Sequence, residues 1–307
     1  MSTMTLSSIS KACYPHPFTA WVGDSYQGHP DVVPDLGFDV RGSEQSFEEI
    51  TILSGMAHMV ETSMGDSVPY DAMQQTSTKQ YAPVTYRLAF SVAKQMIEDG
   101  KGYDLIAMGA RAFGRSYADT RNIIAASVHN GAYDGSIVGA DGIGLCSASH
   151  PNVTGGNQSN LLAVAAALSE ASLEESLIEM KNIKDNRGLR MQIEAQSLIV
   201  STAQQFAAER ILGNKEMRPA TADRDINAMA NTGMFPGGYK AINYMTSSTA
   251  FQILTNITES GLIFWDRKGL ELGQDVDFST DNVRHKAYAR MMPGVGDYRR
   301  VFGTPGA

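Results

Sequence analysis

Tyr103, Ile106, Ala110, Phe113, Tyr117, Thr120, Ile124 and Val128 recur at steps of three and four residues. That spacing places them on one stripe of an α-helix. A helix over 103–129 runs for about 27 residues and roughly 40 Å, and everything packed on it must accommodate that length. Gly109 and Gly114 weaken it. Ser116 with Asp119 offers a fresh cap, so the pattern permits one helix or two. Asn130-Gly131 is a stop signal. The stripe reads as core packing; a coiled coil would fit the spacing but the run is short for one.

The next ordered stretch is 145–212. Ser172 precedes apolar Leu173, Leu177, Ile178 and Met180, and Glu175 stands three residues on, the spacing of a capping box. Glu174 and Glu175 suit the positive N-terminus of such a helix, and Lys181 and Lys184 suit its other end. Asp185-Asn-Arg-Gly188 reads as a turn. Met191, Ile193 and Ala195 alternate and lead into Leu198-Ile-Val200, which predicts a strand ending in a buried run. Ser201 or Thr202 is placed to cap a second helix through Leu212, with Gly213-Asn214 as its stop. The block is a helix–turn–strand–helix unit of an α+β protein.

Flanking segments are less regular. Residues 1–46 contain Tyr14-Pro-His-Pro-Phe18 and His29-Pro-Asp-Val-Val-Pro34, poor helix formers, and scattered Trp21, Tyr26 and Phe38. They predict an extended arm, ordered only where it lies on another surface. In 47–90, Ile50, Ile52, Met56 and Met59 fit a short helix or strand. Gly65-Asp66 and Val68-Pro69 break the chain, and Tyr81, Val84, Tyr86, Leu88 and Phe90 are strand-like. A long two-stranded excursion fits, and such a hairpin is marginal alone. Gly131, Gly135, Gly139, Gly142 and Gly144 make a loop around Ile137 and Val138, and 213–238 is loop-rich. Tyr239–Leu254 regains strand or short-helix character, and Leu262-Ile-Phe-Trp265 is a buried strand. Asp281-Asn282 makes a turn, 283–289 fits strand or helix, and 298–302 fits a last strand.

Composition excludes several classes. The chain has 307 residues, 43% apolar, enough for a sizeable core. No run approaches the ~20 apolar residues of a membrane span, and the N-terminus has no apolar signal region. Cys13 and Cys146 do not make a disulfide framework, and the default is a reducing compartment. Asn152-Val-Thr154, Asn157-Gln-Ser159 and Asn256-Ile-Thr258 match the glycosylation sequon by chance on that reading. A formal charge of −8 disfavours general nucleic-acid binding.

The usual catalytic signatures fail one by one. Gly144-Leu-Cys146-Ser-Ala148, with His150 nearby, lacks the second glycine of a nucleophile elbow and any placed acid, so Cys146 reads as a buried structural thiol. Asp275-x-Asp277-x-Ser279 starts like a calcium loop, but Thr280 replaces the glycine and Lys286 the final glutamate. Gly139, Gly142 and Gly144 do not have dinucleotide-binding spacing, and the six histidines show no metal-ligand pairing. No catalytic, cofactor-binding or metal site is assigned.

One resemblance organises these parts. Gly114-Arg-Ser, Asn130-Gly-Ala132, Gly144-Leu-Cys-Ser-Ala-Ser-His-Pro151, Ser159-Asn-Leu-Leu162 and Leu168-Ser169 come first in its order. The capped helix from Leu173, Asp185-Asn-Arg-Gly188, Leu198-Ile-Val200 and Ala208-Glu-Arg-Ile-Leu212 complete it. In order and spacing, over roughly 100–260, this resembles the major capsid proteins of tailed double-stranded DNA bacteriophages, with the Hong-Kong-97-type fold, and most of all the Mu-like major head subunit group. The resemblance implies an N-terminal arm (1–46), an extended loop (47–90) and a peripheral domain with a spine helix (91–140). An axial domain (141–255) and a C-terminal return to the peripheral domain (256–307) follow. It implies a structural protein, not an enzyme, whose copies form pentamers and hexamers of an icosahedral shell around phage DNA, enclosed without sequence-specific binding. An acidic chain suits a wall that does not grip DNA. The implied partners are the chain itself, portal and scaffold proteins and decoration proteins, with no membrane. The implied place is the virion capsid, assembled in the host cytoplasm. Some relatives cross-link through a Lys and an Asn; Lys79 in the hairpin reads instead as a solvated surface lysine. The alternatives are an encapsulin-like nanocompartment shell and, from another class, a soluble α+β enzyme.

Overall fold

The computed structural model describes residues 15–100, 102–153, 155–213, 228–258 and 260–307. Its first element, α1 (Pro15–Gln27), corrects the reading of an extended, non-helical arm. Pro15 and Pro17 fall in the first turn, where backbone N–H groups have no partner within the helix, so proline's missing donor costs nothing there. Phe18 and Val22 are buried, and Val33 and Leu36 are fully so. This part of the arm is therefore docked on its own chain. Its first 14 residues, with Cys13, lie outside the described residues.

The chain then forms β1 (Phe38–Gly42), β2 (Glu48–Leu53), β3 (Gln75–Tyr81), β4 (Val84–Val92), the short α2 (Lys94–Glu98) and α3 (Gly102–Asn130). β5 (His150–Pro151) and β6 (Asn157–Gln158) form a small ladder before α4 (Glu170–Lys181) and β7 (Ala195–Ser201). A 3₁₀ turn (Thr202–Gln204) leads to α5 (Gln205–Leu212), and α6 (Ala228–Thr232) and β8 (Tyr239–Ile242) follow. β9 (Phe251–Thr255), β10 (Leu262–Val276), β11 (Val283–Val295) and β12 (Val301–Thr304) close the chain.

Two four-stranded sheets result, ordered β1-β10-β11-β4 and β12-β9-β7-β8. Each is mixed, with one parallel pair at an edge: β1 with β10, and β7 with β8. The α3 stripe is one uninterrupted helix of 29 residues, so the fresh start at Ser116 is not used. Its first half packs Ile106, Ala110 and Phe113 with Phe18 and Val22 of α1 and Ala287 of β11. Its last turns put Ala125, Ala126 and Val128 into a second core with Phe264 of the first sheet and Ile199 and Leu254 of the second. A third core lies between the second sheet and α4, around Leu173, Met180, Leu198, Phe251 and Phe302.

Polar anchors hold the helix past its middle and at its C-terminal end. Arg121, 5% exposed, pairs with Asp266 of β10 at 2.6 Å and lies 4.8 Å from the Phe264 ring. His129 is fully buried; its Nδ1 meets Gln252 Oε1 at 2.5 Å and its Nε2 meets the Leu36 carbonyl at 3.0 Å.

The cap of α4 is displaced from the expected one. Ser169 is the N-cap and Ser172 occupies the third helical position. Ser169 Oγ accepts from the Ser172 N–H, and Ser172 Oγ accepts from the Ser169 N–H. The box is thus Ser-x-x-Ser, the second hydroxyl doing what the Glu175 carboxylate was expected to do. The 185–188 turn forms as read: Asp185 Oδ1 accepts from the Arg187 and Leu189 amides, and Gly188 takes φ +86°. At α5, Ser201 makes no side-chain cap, and the 3₁₀ turn carries the chain into the helix instead.

Gly109 and Gly114 are where neighbours touch the helix backbone. A Cβ at Gly114 would run into the Val22 carbonyl of α1, and one at Gly109 into the Phe90 ring. Gly114→Ala should therefore destabilise the unassembled chain by about 1–3 kcal/mol, although alanine is the better helix former; a denaturant melt that moves the other way would refute the close-packing account.

His285 offers a second test. It is 1% exposed, stacked between Phe18 (4.7 Å) and Phe90 (5.1 Å), and its buried Nε2 has no partner. Burial lowers its pKa. The unfolded chain then binds the proton better, so the contribution is intact above the ordinary value near 6.5 and is lost as pH falls below it. His285→Leu should flatten the stability-versus-pH curve below that value, measured by denaturant melts at stepped pH.

Candidate functional site

The groups that sequence alone offered for chemistry are absorbed by the fold. Cys146 is 3% exposed within the core beside α3, and burial pushes its thiol well above the ordinary range, so it is not a poised nucleophile. His150 is buried and stacks on the Tyr298 ring at 3.6 Å. Its Nδ1 meets Asp141 Oδ2 at 2.5 Å and its Nε2 meets Asn160 Oδ1 at 3.2 Å. Asn160, fully buried, donates to the Leu145, Tyr298 and Val301 carbonyls, so this cluster staples three segments together. Asp277 accepts from Ser279, Thr280 and Arg284 at the β10–β11 turn, which accounts for this acid without a metal ion. No group of three or more potential metal ligands occurs among the described residues.

What the fold leaves open is surface. β2 and β3 pair antiparallel from Glu48↔Tyr81 to Leu53↔Gln75. Ile50 and Tyr81 pack on Ile263, Trp265 and Met292, on the side of the first sheet away from α3. Tyr81 OH donates to the Val295 carbonyl at 2.6 Å. β4, expected within the excursion, belongs instead to the first sheet through β11.

Lys79 is the residue whose reading changes most. It is half-buried; its Nζ donates to the Val138 carbonyl at 2.5 Å and lies 5.0 Å from the Tyr81 ring. Burial lowers its pKa, opposed by the Asp141 carboxylate. It is a strut between hairpin and loop, not a solvated lysine, because its stem lies along the hairpin base and leaves the ammonium over the Gly-rich loop.

Beyond Leu53 the chain runs without regular structure to Gln74. Met59, Met64 and Tyr70 there are essentially fully exposed, and Met56, Val60, Val68 and Met73 more than half so. A single clamp holds this excursion to the 185–188 turn. Arg187 makes a two-armed ion pair with Asp71, Nη2 to Oδ1 at 2.9 Å, and also donates to the Gly55 carbonyl. Asp71 accepts from the Ala57 and Ala72 amides, and these bonds, Arg187 first, hold its pKa down to about 2.

A second open surface lies on the hairpin side of the first sheet. A groove of about 850 Å³ is lined by Arg87 of β4, Lys286 and Arg290 of β11, and Arg267 and Lys268 of β10. Glu271 is the acid among its lining residues, paired with Lys268 at 2.7 Å. The signal for it is legible in retrospect. Arg284, Lys286, Tyr288 and Arg290 alternate with Val283, His285, Ala287 and Ala289, the period of a strand with one basic and one buried face.

Comparisons follow this geometry. The phage capsid protein family model matches residues 76–303. No match to a curated protein sequence was found. The capsid of the Cyanophage P-SCSP1u has TM-score 0.58 and 11% identity, over 91% of this chain and 88% of that one. A virus-like particle from Pyrococcus furiosus has TM-score 0.55 and 11% identity, over 95% and 99%. The capsid of Myoviridae Phage XM1 has TM-score 0.54 and 9% identity, over 91% and 92%. At such identities the structures speak for the fold alone, and that fold is the Hong-Kong-97 type.

The Asp71 clamp is testable. Its contribution is present above the ordinary carboxylate value near 3.8 and is lost as pH falls toward 2. At neutral pH, Asp71→Asn should speed hydrogen exchange at the Ala57 and Ala72 amides by on the order of tenfold; unchanged exchange would remove the clamp from the account. With a continuous helix packed against both sheets, an exposed excursion beyond the hairpin and a family match over well more than half its length, the chain belongs to the phage capsid protein family and is a shell-forming capsid protein.

Proposed function

We propose that this chain is a major head subunit whose copies close into pentamers and hexamers of an icosahedral shell around phage double-stranded DNA. The observation that carries the reading is the 54–74 excursion. Seven apolar side chains there stand in water on a segment that its own chain holds at one clamp. Burying each such side chain is worth about 1.5–3 kcal/mol, and a neighbouring copy is the surface that a repeating shell supplies at every position.

On this reading 1–46 acts as the arm, 47–90 as the extended loop, with β4 as its return into the first sheet, and 91–140 as the peripheral domain with α3 as spine. Residues 141–255 form the axial domain and 256–307 return to the periphery. The role is mechanical, not enzymatic. Portal, scaffold and decoration proteins are its further partners, and assembly takes place in the host cytoplasm before the subunit resides in the virion. A nanocompartment shell of the same fold has the likeness to the virus-like particle in its favour; the phage family match weighs against it.

Negative-stain microscopy and sedimentation of the purified chain, alone and co-expressed with the products of neighbouring genes, test the proposal. Closed shells or five- and six-fold rings are expected. A monodisperse monomer under both conditions would overturn it, and shells that copurify with an enzyme and no DNA would favour the compartment.

A further inference from the structure

Three arginines are buried among the described residues, and two of them have acids. Arg121 pairs with Asp266 and Asp31, and Arg299 with Asp297. Arg300, 5% exposed, meets carbonyls only. Its Nε and Nη2 both donate to the Gly37 carbonyl at 3.3 Å, and its Nη1 donates to the Thr255 carbonyl. One carbonyl shared by two donors at that length is a weak acceptor for a guanidinium. Arginine carries five N–H groups, so two remain beyond these three bonds. A carbonyl offers a dipole and no charge, so the cation of Arg300 stays unbalanced away from water. Burial lowers the Arg300 pKa. At buried His129, burial is the main cause of a lowered pKa and the Arg300 charge adds to it.

The same guanidinium borders open space. A cleft of about 400 Å³ runs between residues 34–37 of the arm and the β7–β8 side of the second sheet, with Arg300, Gln196, Gly237 and Lys240 among its lining residues. Gly37 sets the wall next to the charge. It takes φ +81°, and a Cβ there would stand 2.6 Å from Leu254 Cδ1 and 3.1 Å from Arg300 Nη2. Any side chain would be strained and would crowd the guanidinium, so glycine is what leaves room beside Nη2. Lys240 supplies a second cation. It pairs at 3.0 Å with Asp35, the acid among the lining residues, and both side chains are more than a third exposed. Such a pair contributes little, so it opens readily to share Lys240 with another acceptor.

We propose that this cleft binds a small oxyanion of the phosphate or sulfate class, held by the spare N–H groups of Arg300 and by Lys240. A tetrahedral oxyanion suits the planar guanidinium, which offers donors in parallel, and charge-assisted bonds of this kind are the strong ones. Charge favours a free ion over nucleic acid. A formal −8 repels a polyanion, whereas a small ion inside the cleft lies within a Debye length of about 10 Å of both cations. The bound ion joins the arm to the second sheet just before β1 begins, and it stabilises the folded chain by mass action. The site is complete within one copy, so it stands apart from the shell reading.

The test uses the full chain with inorganic phosphate, sulfate and chloride at matched ionic strength. Phosphate and sulfate should raise the melting temperature saturably above that in chloride, and calorimetric titration should give a single phosphate per chain. Arg300→Met should weaken phosphate binding by about tenfold or more, and Arg300→Lys by less. Because a buried substitution can disturb folding, two half-exposed positions carry the sign. Lys240→Gln should weaken phosphate binding about threefold, and Asp35→Asn, which removes the competing acid, should tighten it by about as much. Phosphate should also slow amide exchange at Gly37 and Gly237, whose N–H groups donate to the Pro34 and Gln196 carbonyls. Equal melting in phosphate and chloride would overturn the site, and so would Lys240→Gln and Asp35→Asn variants that bind phosphate like the parent chain. A 5′-phosphorylated oligonucleotide that displaces phosphate would overturn the free-ion assignment in favour of nucleic acid. None of these outcomes bears on assembly, which microscopy reads separately.

Discussion

The interaction on which this architecture depends is the burial of one helix in two places. The first half of α3 lies against α1 and the first sheet, and its last turns enter the core shared with the second sheet. Because the helix is unbroken over 29 residues, the two sheets cannot move independently without unpacking it. Arg121–Asp266 fixes its middle and His129–Gln252 its end. Removing one partner from a buried ion pair costs about 3–5 kcal/mol, far more than the pair is worth relative to apolar residues of equal size, so such a pair sets position more than it adds stability.

That rigidity gives the hairpin its meaning. A two-stranded ribbon is marginal in water; this one is seated at its base by Ile50, Tyr81 and Lys79 and tied at its far end to the 185–188 turn by Asn186 and Arg187. The excursion past Leu53 cannot fold on itself, having little β pairing and many exposed methionines. A stiff body with a soft, sticky extension is suited to repeating assembly. The body keeps angles between neighbours constant, and the extension takes up small differences between sites.

Much of this was legible from residues. The 3.6-residue stripe gave α3 nearly to its ends, and Asp185-Asn-Arg-Gly188, Leu198-Ile-Val200 and Leu262-Ile-Phe-Trp265 fall where their chemistry placed them. The misses have definite causes. Pro15 and Pro17 break a helix in its interior, but they stand in the first turn, which tolerates them. Ser172 with Glu175 has the spacing of a capping box, but Ser169 three residues earlier makes the same geometry with a hydroxyl at each corner. Lys79 and the Asp71–Arg187 clamp depend on contacts between residues far apart in sequence, which no local pattern encodes. The basic groove was encoded, by alternation in 283–290, but a short alternating run is ambiguous until a neighbouring strand shows which face is covered.

Net charge conceals the most informative electrostatic fact. A value of −8 describes a chain on average acidic, yet residues 43–78 hold six acids and no lysine or arginine, and the sheet groove holds five lysines and arginines around one acid. If solubility alone shaped these positions, mixing the signs along each element would serve it better, since interspersed charges avoid large single-sign fields. Like charges gathered on one patch repel one another, and within the chain that repulsion is offset at Asp71 by Arg187 and at Lys268 by Glu271. In a subunit that associates many times over in one geometry, single-sign patches of this kind set the orientation and the rate of encounter more than the total affinity.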